Sequence, residues 1–471
     1  MDEPHSLSIE NETIFPVPEA RRHGNAWSLF KVWVGANQNV MAVMTGMLFP
    51  GACHLSLGWS LLAILTGNII GGVFMALHAA QGPHLGIPQM QQTRGQFGST
   101  GSLLIIAVII IMYVGFTTTF FAIGREEARN LFGNGYGQLP IWGTVLITAM
   151  LCVVGHDLIE RFIAGFIPVA SLAFLLVALA YIHLAHGHLA QPVWHPPAPH
   201  DFLKALSLGV LWQVAYAPYV SDYTRYLPSS TGERTAFIVC LSGSVLGTAY
   251  PMVVGAFIGS TGFSGSIYDA IRPWGNFLPA VLFLVVMIST LVSCTMQIYC
   301  AALSSLTFLQ TFRQDWHPTG RARGFAAFML LLLCAAITEM LTGDALTILD
   351  NVIALLLAVL SPWTAINLVD YYLVRHGHYD MASLFRRDGG IYGTANRGAL
   401  LCYALGIGVQ IPFLSNGIYT GTVARLLGGI DLSWILGIFV PGALYWVWAQ
   451  ARPEPQKKLS APVPQKRSKG G

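Results

Sequence analysis

Residues 27–50, WSLFKVWVGANQNVMAVMTGMLFP, are long and apolar enough to cross a membrane, yet Gly35-Ala36-Asn37-Gln38-Asn39 interrupts them near the middle. Residues 203–221, LKALSLGVLWQVAYAPYVS, repeat the pattern, interrupted around Ala215-Tyr216-Ala217-Pro218. A helix in lipid satisfies every backbone group internally, and it gives that up only where the freed groups face a cavity, a ligand or an ion. Two breaks in corresponding places point to the binding site of a secondary transporter.

The composition carries the same message. Of 471 residues, 54% are hydrophobic and 10% charged, against about 25% charged in a soluble domain. With about 20 apolar residues needed per span, the sequence predicts twelve helices, near 27–50, 56–81, 102–124, 139–156, 160–184, 203–221, 235–260, 276–303, 325–342, 345–374, 397–418 and 430–450. Placing both tails in the cytoplasm puts 20 of the 25 Lys and Arg on inner segments and leaves Arg125, Arg129, Lys204, Arg272 and Arg425 outside, as the positive-inside rule requires. The first apolar segment follows a polar tail and lacks a cleavage-type end, so it is not a signal peptide. The seven cysteines lie almost entirely within apolar spans without metal-type spacing and read as small hydrophobes. The net charge of +3 reflects the basic inner loops and gives no sign of nucleic-acid binding.

The expected organisation is a cytoplasmic tail (1–26), five helices (27–184), an external loop (185–202), five more helices in the opposite orientation (203–374), a cytoplasmic loop (375–396), two extra helices (397–450) and a basic tail (451–471). Both tails read as mobile. An odd number of helices per half is the arrangement of an inverted repeat. The histidines His183, His186, His188, His195 and His200 fall on the external loop and read as solvated, with a weak metal site as the alternative.

Consecutive amides at Asn37, Gln38 and Asn39 would each cost roughly several kcal/mol if buried unpaired, and on a continuous helix they would point three ways. An unwound segment beside a wet cavity removes both difficulties, although amides also join neighbouring helices. In the second break, Gln213, Tyr216 and Tyr219 accompany Pro218, which deletes a helix hydrogen bond. The eighth span carries Ser289, Thr290, Ser293, Thr295 and Gln297. Such hydroxyls usually bond back to carbonyls, but they also suit hard cations, which want oxygen ligands. The carboxylates Asp157, Glu160, Asp222, Glu339, Asp344 and Asp350 sit mostly at helix ends, and none is central enough for a proton relay. No zinc-type His-Glu-x-x-His, phosphate-binding glycine loop or Asp-rich diphosphate motif is present, which argues against an integral-membrane enzyme.

Several strings resemble one family. Residues 82–98, from Gly82-Pro83-His84-Leu85-Gly86 to Gln96-Phe97-Gly98, resemble the loop signature of the nucleobase–cation symport family of purine, cytosine, uracil, allantoin and hydantoin permeases. Trp33 to Asn37 with Gly46, Tyr216 to Pro228, Ile298-Tyr299 with Leu303, and Ser361-Pro362-Trp363 through Asp370-Tyr371-Tyr372 match in order. The resemblance implies an all-α LeuT-like fold, with two inverted five-helix repeats, two added helices, and the first and sixth helices broken. It also implies a planar heterocycle held between two rings, here Phe116 on the third helix and Tyr216 on the sixth. The family often has an amide one turn after the third-helix ring and an Asn on the eighth helix. This chain has Phe120 and Thr295 at those places, so the usual base recognition does not carry over: either Asn37, Gln38 and Gln213 compensate, with Ala215 also in the substrate-binding set, or the cargo is a less polar or differently shaped heterocycle such as a vitamin precursor. Sodium-coupled members imply an ion held by the carbonyls of Ala36, Asn39 and Val286 and the hydroxyls of Ser289 and Thr290, while other members use protons.

The sequence therefore predicts a multi-pass cell-membrane symporter for a purine, cytosine or related heterocycle, coupled to sodium with protons as the alternative. It works in the bilayer as a monomer or weak oligomer. A vitamin precursor, allantoin or hydantoin, or an amino acid on the same fold is the alternative cargo.

Overall fold

The computed structural model describes residues 10, 12–184, 189, 192–262, 267–341 and 343–451, with the side chains of 343–350, 352–355 and 357 outside that description. Among the described residues the chain is helical and contains no strand. In chain order the helices are α1 (Ala26–Asn37), α2 (Val40–Gly51), α3 (Leu57–Ala76), α4 (Gln81–Leu85), α5 (Gln89–Phe97), α6 (Ser102–Phe132), α7 (Gln138–Val154), α8 (His156–Leu184), α9 (Pro199–Val214) and α10 (Val220–Thr224). They continue as α11 (Glu233–Ser260), α12 (Ile267–Ile271), α13 (Leu278–Gln310), α14 (Gly320–Met340), α15 (Gly343–Val369), α16 (Met381–Leu384), α17 (Arg397–Gln410), α18 (Thr422–Leu426) and α19 (Ser433–Ala451).

Eight helical stretches among the described residues are long and apolar enough to span a membrane. The spans expected at 27–50 and 203–221 are each divided, as the interruptions predicted. α1 ends at Asn37 and α2 starts at Val40. α9 ends at Val214 and gives way to a 3₁₀ turn, Ala217–Tyr219, before α10.

Two groups of helices pack separately. α1, α2, α3, α9 and α11 form one group; α6, α7, α13 and α14 form the other; α15, α17 and α19 lie together beside them. Backbones approach closely in the first group, where a Cβ on Gly67 of α3 would lie 2.6 Å from the Leu206 carbonyl of α9. Small residues at helix contacts permit this where lipid supplies no hydrophobic drive. All seven cysteines are buried and free.

Two expectations are corrected. The segment before residue 26 is anchored against the bundle rather than mobile where it is described: Thr13, Ile14 and Val17 are buried, and Phe15 stacks on Phe385 at 4.8 Å. The signature at 82–98 is also not an open loop. It forms α4 and α5, joined by Gly86 at φ +69° and Pro88, and every residue of α5 is buried.

Candidate functional site

Local rules place the first break. Asn25 caps α1 in a reciprocal capping box with Ser28. Asn39 caps α2, its Oδ1 accepting from the Ala42 amide at 2.9 Å, as an N-cap asparagine does. Its amide nitrogen donates to the Ala36 carbonyl at 3.2 Å. Gln38, left between the helices, reaches two others: its side chain exchanges hydrogen bonds with Ser171 of α8 at 2.9 and 3.1 Å, and its carbonyl accepts from Ser289 of α13 at 3.1 Å.

The predicted cation ligands therefore partly converge. A hydroxyl of α13 does meet a freed carbonyl of the break, but that carbonyl belongs to Gln38 rather than to Ala36 or Asn39. The neighbouring Thr290 hydroxyl is buried with no hydrogen-bond partner. Buried orphan oxygens are rare in native proteins and call for an explanation. An oxygen-only set at a helix break fits a hard monovalent cation. Val286 lies one turn earlier on α13 and is buried.

The predicted rings keep partial exposure, whereas their neighbours Phe120, Tyr113 and Tyr219 are sealed. Phe116 lies about 140° around α6 from the outward-facing Ile111 at a helix's 100° per residue. Tyr216 meets Trp33 edge-on at 5.8 Å and Tyr219 at 5.4 Å, and Tyr219 in turn packs edge-on to Tyr113 at 4.8 Å. Ala215 lies beside Tyr216 and is buried.

Three other predicted contacts are engaged with protein. Asn37 donates to the Trp33 carbonyl at 2.9 Å and to Ser244, and accepts from Thr248 at 2.7 Å and Trp212 at 3.2 Å. Gln213 joins Asn68 at 2.8 Å, Thr248 at 3.1 Å and Ser244 at 2.6 Å. These two amides thus stitch both broken helices to α3 and α11. Thr295 meets Thr148 of α7 at 3.3 Å. By contrast Gln297, two residues further on, accepts from Thr117 of α6 at 3.4 Å and keeps slight exposure, placing a polar group opposite the ring-bearing helix.

The family-like signature at 82–98 forms a hydrogen-bond hub. The Gln89 backbone donates to Asp222 at 2.8 Å, Gln92 to Ser221 at 2.6 Å, and Arg94 to Gln310 and the Thr307 carbonyl, both at 2.7 Å. Gln89 and Gln81 continue the chain to Asn367 of α15. Asp222, one of the carboxylates noted in the sequence, accepts the Gln89 backbone bond and is fully buried.

Sequence reasoning missed a second cluster at the end of the bundle where the N-terminal segment lies. Glu10 pairs with Arg323 of α14 at 3.0 Å and with Arg225 at 3.2 Å, both guanidiniums being fully buried. Tyr226 and Tyr299 donate to the same carboxylate, as does the His156 backbone at 2.9 Å. Burial opposes ionisation of Glu10, but Arg323 and then Arg225, with these donors, hold its pKa below the ordinary glutamate value. The cluster joins the residue after α10 to the starts of α8 and α14. Of the other sequence candidates, His186 and His188 and the side chains of Asp344 and Asp350 lie outside the described residues.

The chain matches the family model for permeases of cytosine/purines, uracil, thiamine and allantoin over residues 16–437. YxlA of Bacillus subtilis (strain 168), provisionally named a purine-cytosine permease, is 34% identical over 97% of this chain and all of that protein. Among solved structures, Mhp1, a nucleobase-cation-symport-1 family transporter in a closed conformation with bromovinylhydantoin bound, superposes with a TM-score of 0.73 at 20% identity, over 95% of this chain and 96% of that one. Its inward-facing conformation superposes at 0.65 with 21% identity, over 96% and 95%.

Proposed function

We propose that this chain, which belongs to the permease family for cytosine/purines, uracil, thiamine and allantoin, imports a planar nitrogen heterocycle, with a purine or cytosine first, by cation symport. It is a secondary active transporter of the nucleobase type rather than an enzyme. The finer reading is twelve spans built as two inverted five-helix repeats plus two helices, in the cell membrane, with both tails cytoplasmic. A hydantoin or allantoin is the alternative cargo, in line with the ligand named for Mhp1.

One observation carries the reading: the first break lies against α13, where Ser289 bonds the Gln38 carbonyl and Thr290 has an unpaired hydroxyl. Sodium is the coupling ion, taken by these hydroxyls with freed carbonyls of the break; a proton offers no account of the orphan oxygen. The heterocycle stacks between Phe116 and Tyr216. Offset ring stacking adds about 0.5–1.5 kcal/mol per pair beyond area burial. Gln38 and Gln297 supply edge contacts, and Asn37 and Gln213 hold the walls.

The Glu10 cluster shuts the cytoplasmic end. Transport then requires the α1–α3, α9 and α11 group to rock against the α6, α7, α13 and α14 group. The test is uptake into proteoliposomes of labelled cytosine, hypoxanthine, uracil, allantoin, a hydantoin and an aromatic amino acid, under a sodium gradient and, separately, a pH gradient. Sodium-driven uptake of a flat heterocycle supports the proposal. Uptake that follows the pH gradient alone overturns the ion assignment, and preference for an amino acid overturns the cargo.

A further inference from the structure

We propose that His23, His156 and Asp157 form a binding site for a divalent transition-metal ion of the Zn²⁺ class, beside the Glu10 cluster. Their ligand atoms all lie within 4.8 Å of one another, the one such grouping among the described residues. His23 Nε2 is 2.7 Å from Asp157 Oδ1, and His156 Nδ1 is 3.5 Å from the same oxygen.

Two further features make this more than a chance cluster. His156 is 4% exposed, and its Nδ1 reaches Asp157 Oδ1 only at 3.5 Å, too long for a sound hydrogen bond. Its ring is fixed by stacking on Tyr226 at 4.0 Å. In addition, His23 Nδ1 lies 2.8 Å from the Arg21 carbonyl. Nδ1–H donating there fixes the ring as outer-shell carbonyls fix metal-binding histidines, and Nε2–H donates to Asp157 Oδ1 at 2.7 Å, the proton that a bound ion would displace.

Zinc holds such ligands at about 2.0–2.2 Å in a tetrahedron, so its ligand atoms stand about 3.3 Å apart. The half-exposed His23 and Asp157 side chains can close to that spacing by rotamer adjustment, leaving a fourth position for water. Two imidazoles and one carboxylate favour zinc, nickel or copper over magnesium or calcium, which want oxygen ligands. A bound ion would tie the segment leading into α1 to the first turn of α8.

The test uses the full chain in nanodiscs, stripped with chelator and titrated calorimetrically with ZnCl₂, and with MgCl₂ as a second arm. The expected result is one Zn²⁺ per chain, a raised thermal midpoint and no response to Mg²⁺. H23A and D157N should each weaken binding at least about tenfold, the lower limit for disturbing a metal's ligand shell. Both replaced side chains are about half exposed (51% and 52%), so the unliganded melting temperature should hold. A variant with His183, His195 and His200 changed to Ala should bind as the wild type does. No zinc binding, equal binding by H23A and D157N, loss only in the outer-histidine variant, or an equal response to Mg²⁺ would each overturn the site. Binding is read without transport, so the result is independent of the proposed cargo.

Discussion

Replacing Glu10 by Gln should open the N-terminal end of the bundle. The carboxylate neutralises two guanidiniums that have no exposed surface, at 3.0 and 3.2 Å, and is itself 12% exposed. Removing one partner of a buried pair typically costs about 3–5 kcal/mol. Here the guanidiniums keep other acceptors, Arg225 at the Thr13 and Glu12 carbonyls and Arg323 at the Cys152 carbonyl. The loss should therefore fall to about 2–3 kcal/mol, a roughly 30- to 150-fold shift toward conformations in which water reaches the arginines. Hydrogen exchange at the Val17 and Gly24 amides, which bond to Gly86 and Tyr226, reads that shift. Glu12→Gln is the control, since Glu12 pairs with the exposed Arg21 and surface pairs contribute little. Glu10 has a depressed pKa, so its stabilisation is present above the ordinary glutamate pKa and lost only as pH falls through the lowered value. Wild-type exchange at Val17, corrected for intrinsic rates, should thus stay flat between about pH 5 and 6.5, below the range in which His23, its pKa raised to about 9 by the bond to Asp157, loses its own stabilisation. E10Q exchanging within twofold of wild type, or a wild-type transition near pH 6, would refute the reasoning.

Phe116→Ala and Tyr216→Ala should each weaken substrate binding at least about tenfold, the equivalent of about 1.4 kcal/mol, while the protein stays folded with a lowered melting temperature; a substrate-induced thermal shift measures both. Thr290→Val removes a hydroxyl without a partner, so stability should not fall, yet together with Ser289→Ala it should flatten the sodium dependence of uptake. Sodium dependence surviving in that double variant would remove the ion site. Phe120→Asn should alter the ranking of bases in a competition panel and cost about 1–3 kcal/mol of stability through amide burial; an unchanged ranking would place residue 120 away from the ligand.

The breaks were legible because local chemistry writes them: Asn39 is a capping residue and Pro218 cannot donate. The amides inside them were ambiguous, since a glutamine stitching helices and a glutamine reading a base look alike in sequence. Only the partners of Asn37 and Gln213 on α11 separate the two roles. The signature at 82–98 looked like a loop because Gly86 and Pro88 punctuate it, and its helices are stabilised by tertiary partners such as Asp222 and Gln310 instead of by their own length. Glu10 was invisible: Arg225 and Arg323 lie 215 and 313 positions away, and no local pattern marks a tail carboxylate that serves two buried cations.

Gln38 offers the shortest route for coupling ion to substrate. Its carbonyl takes the Ser289 hydroxyl and its side chain holds Ser171, so one residue touches both α13 and α8. An ion drawing on that carbonyl must rotate the peptide or share it, and either response moves the segment that precedes α2. Coupling between two ligands is a free energy, typically about 1–3 kcal/mol, and is reciprocal. Gln38→Ala keeps the carbonyl but releases the side chain from α8. Sodium affinity measured alone should therefore change little, while the factor by which sodium tightens substrate binding should fall toward one. Calorimetric titration of substrate with and without sodium measures that factor, and equal factors in Q38A and wild type would show that the coupling runs elsewhere.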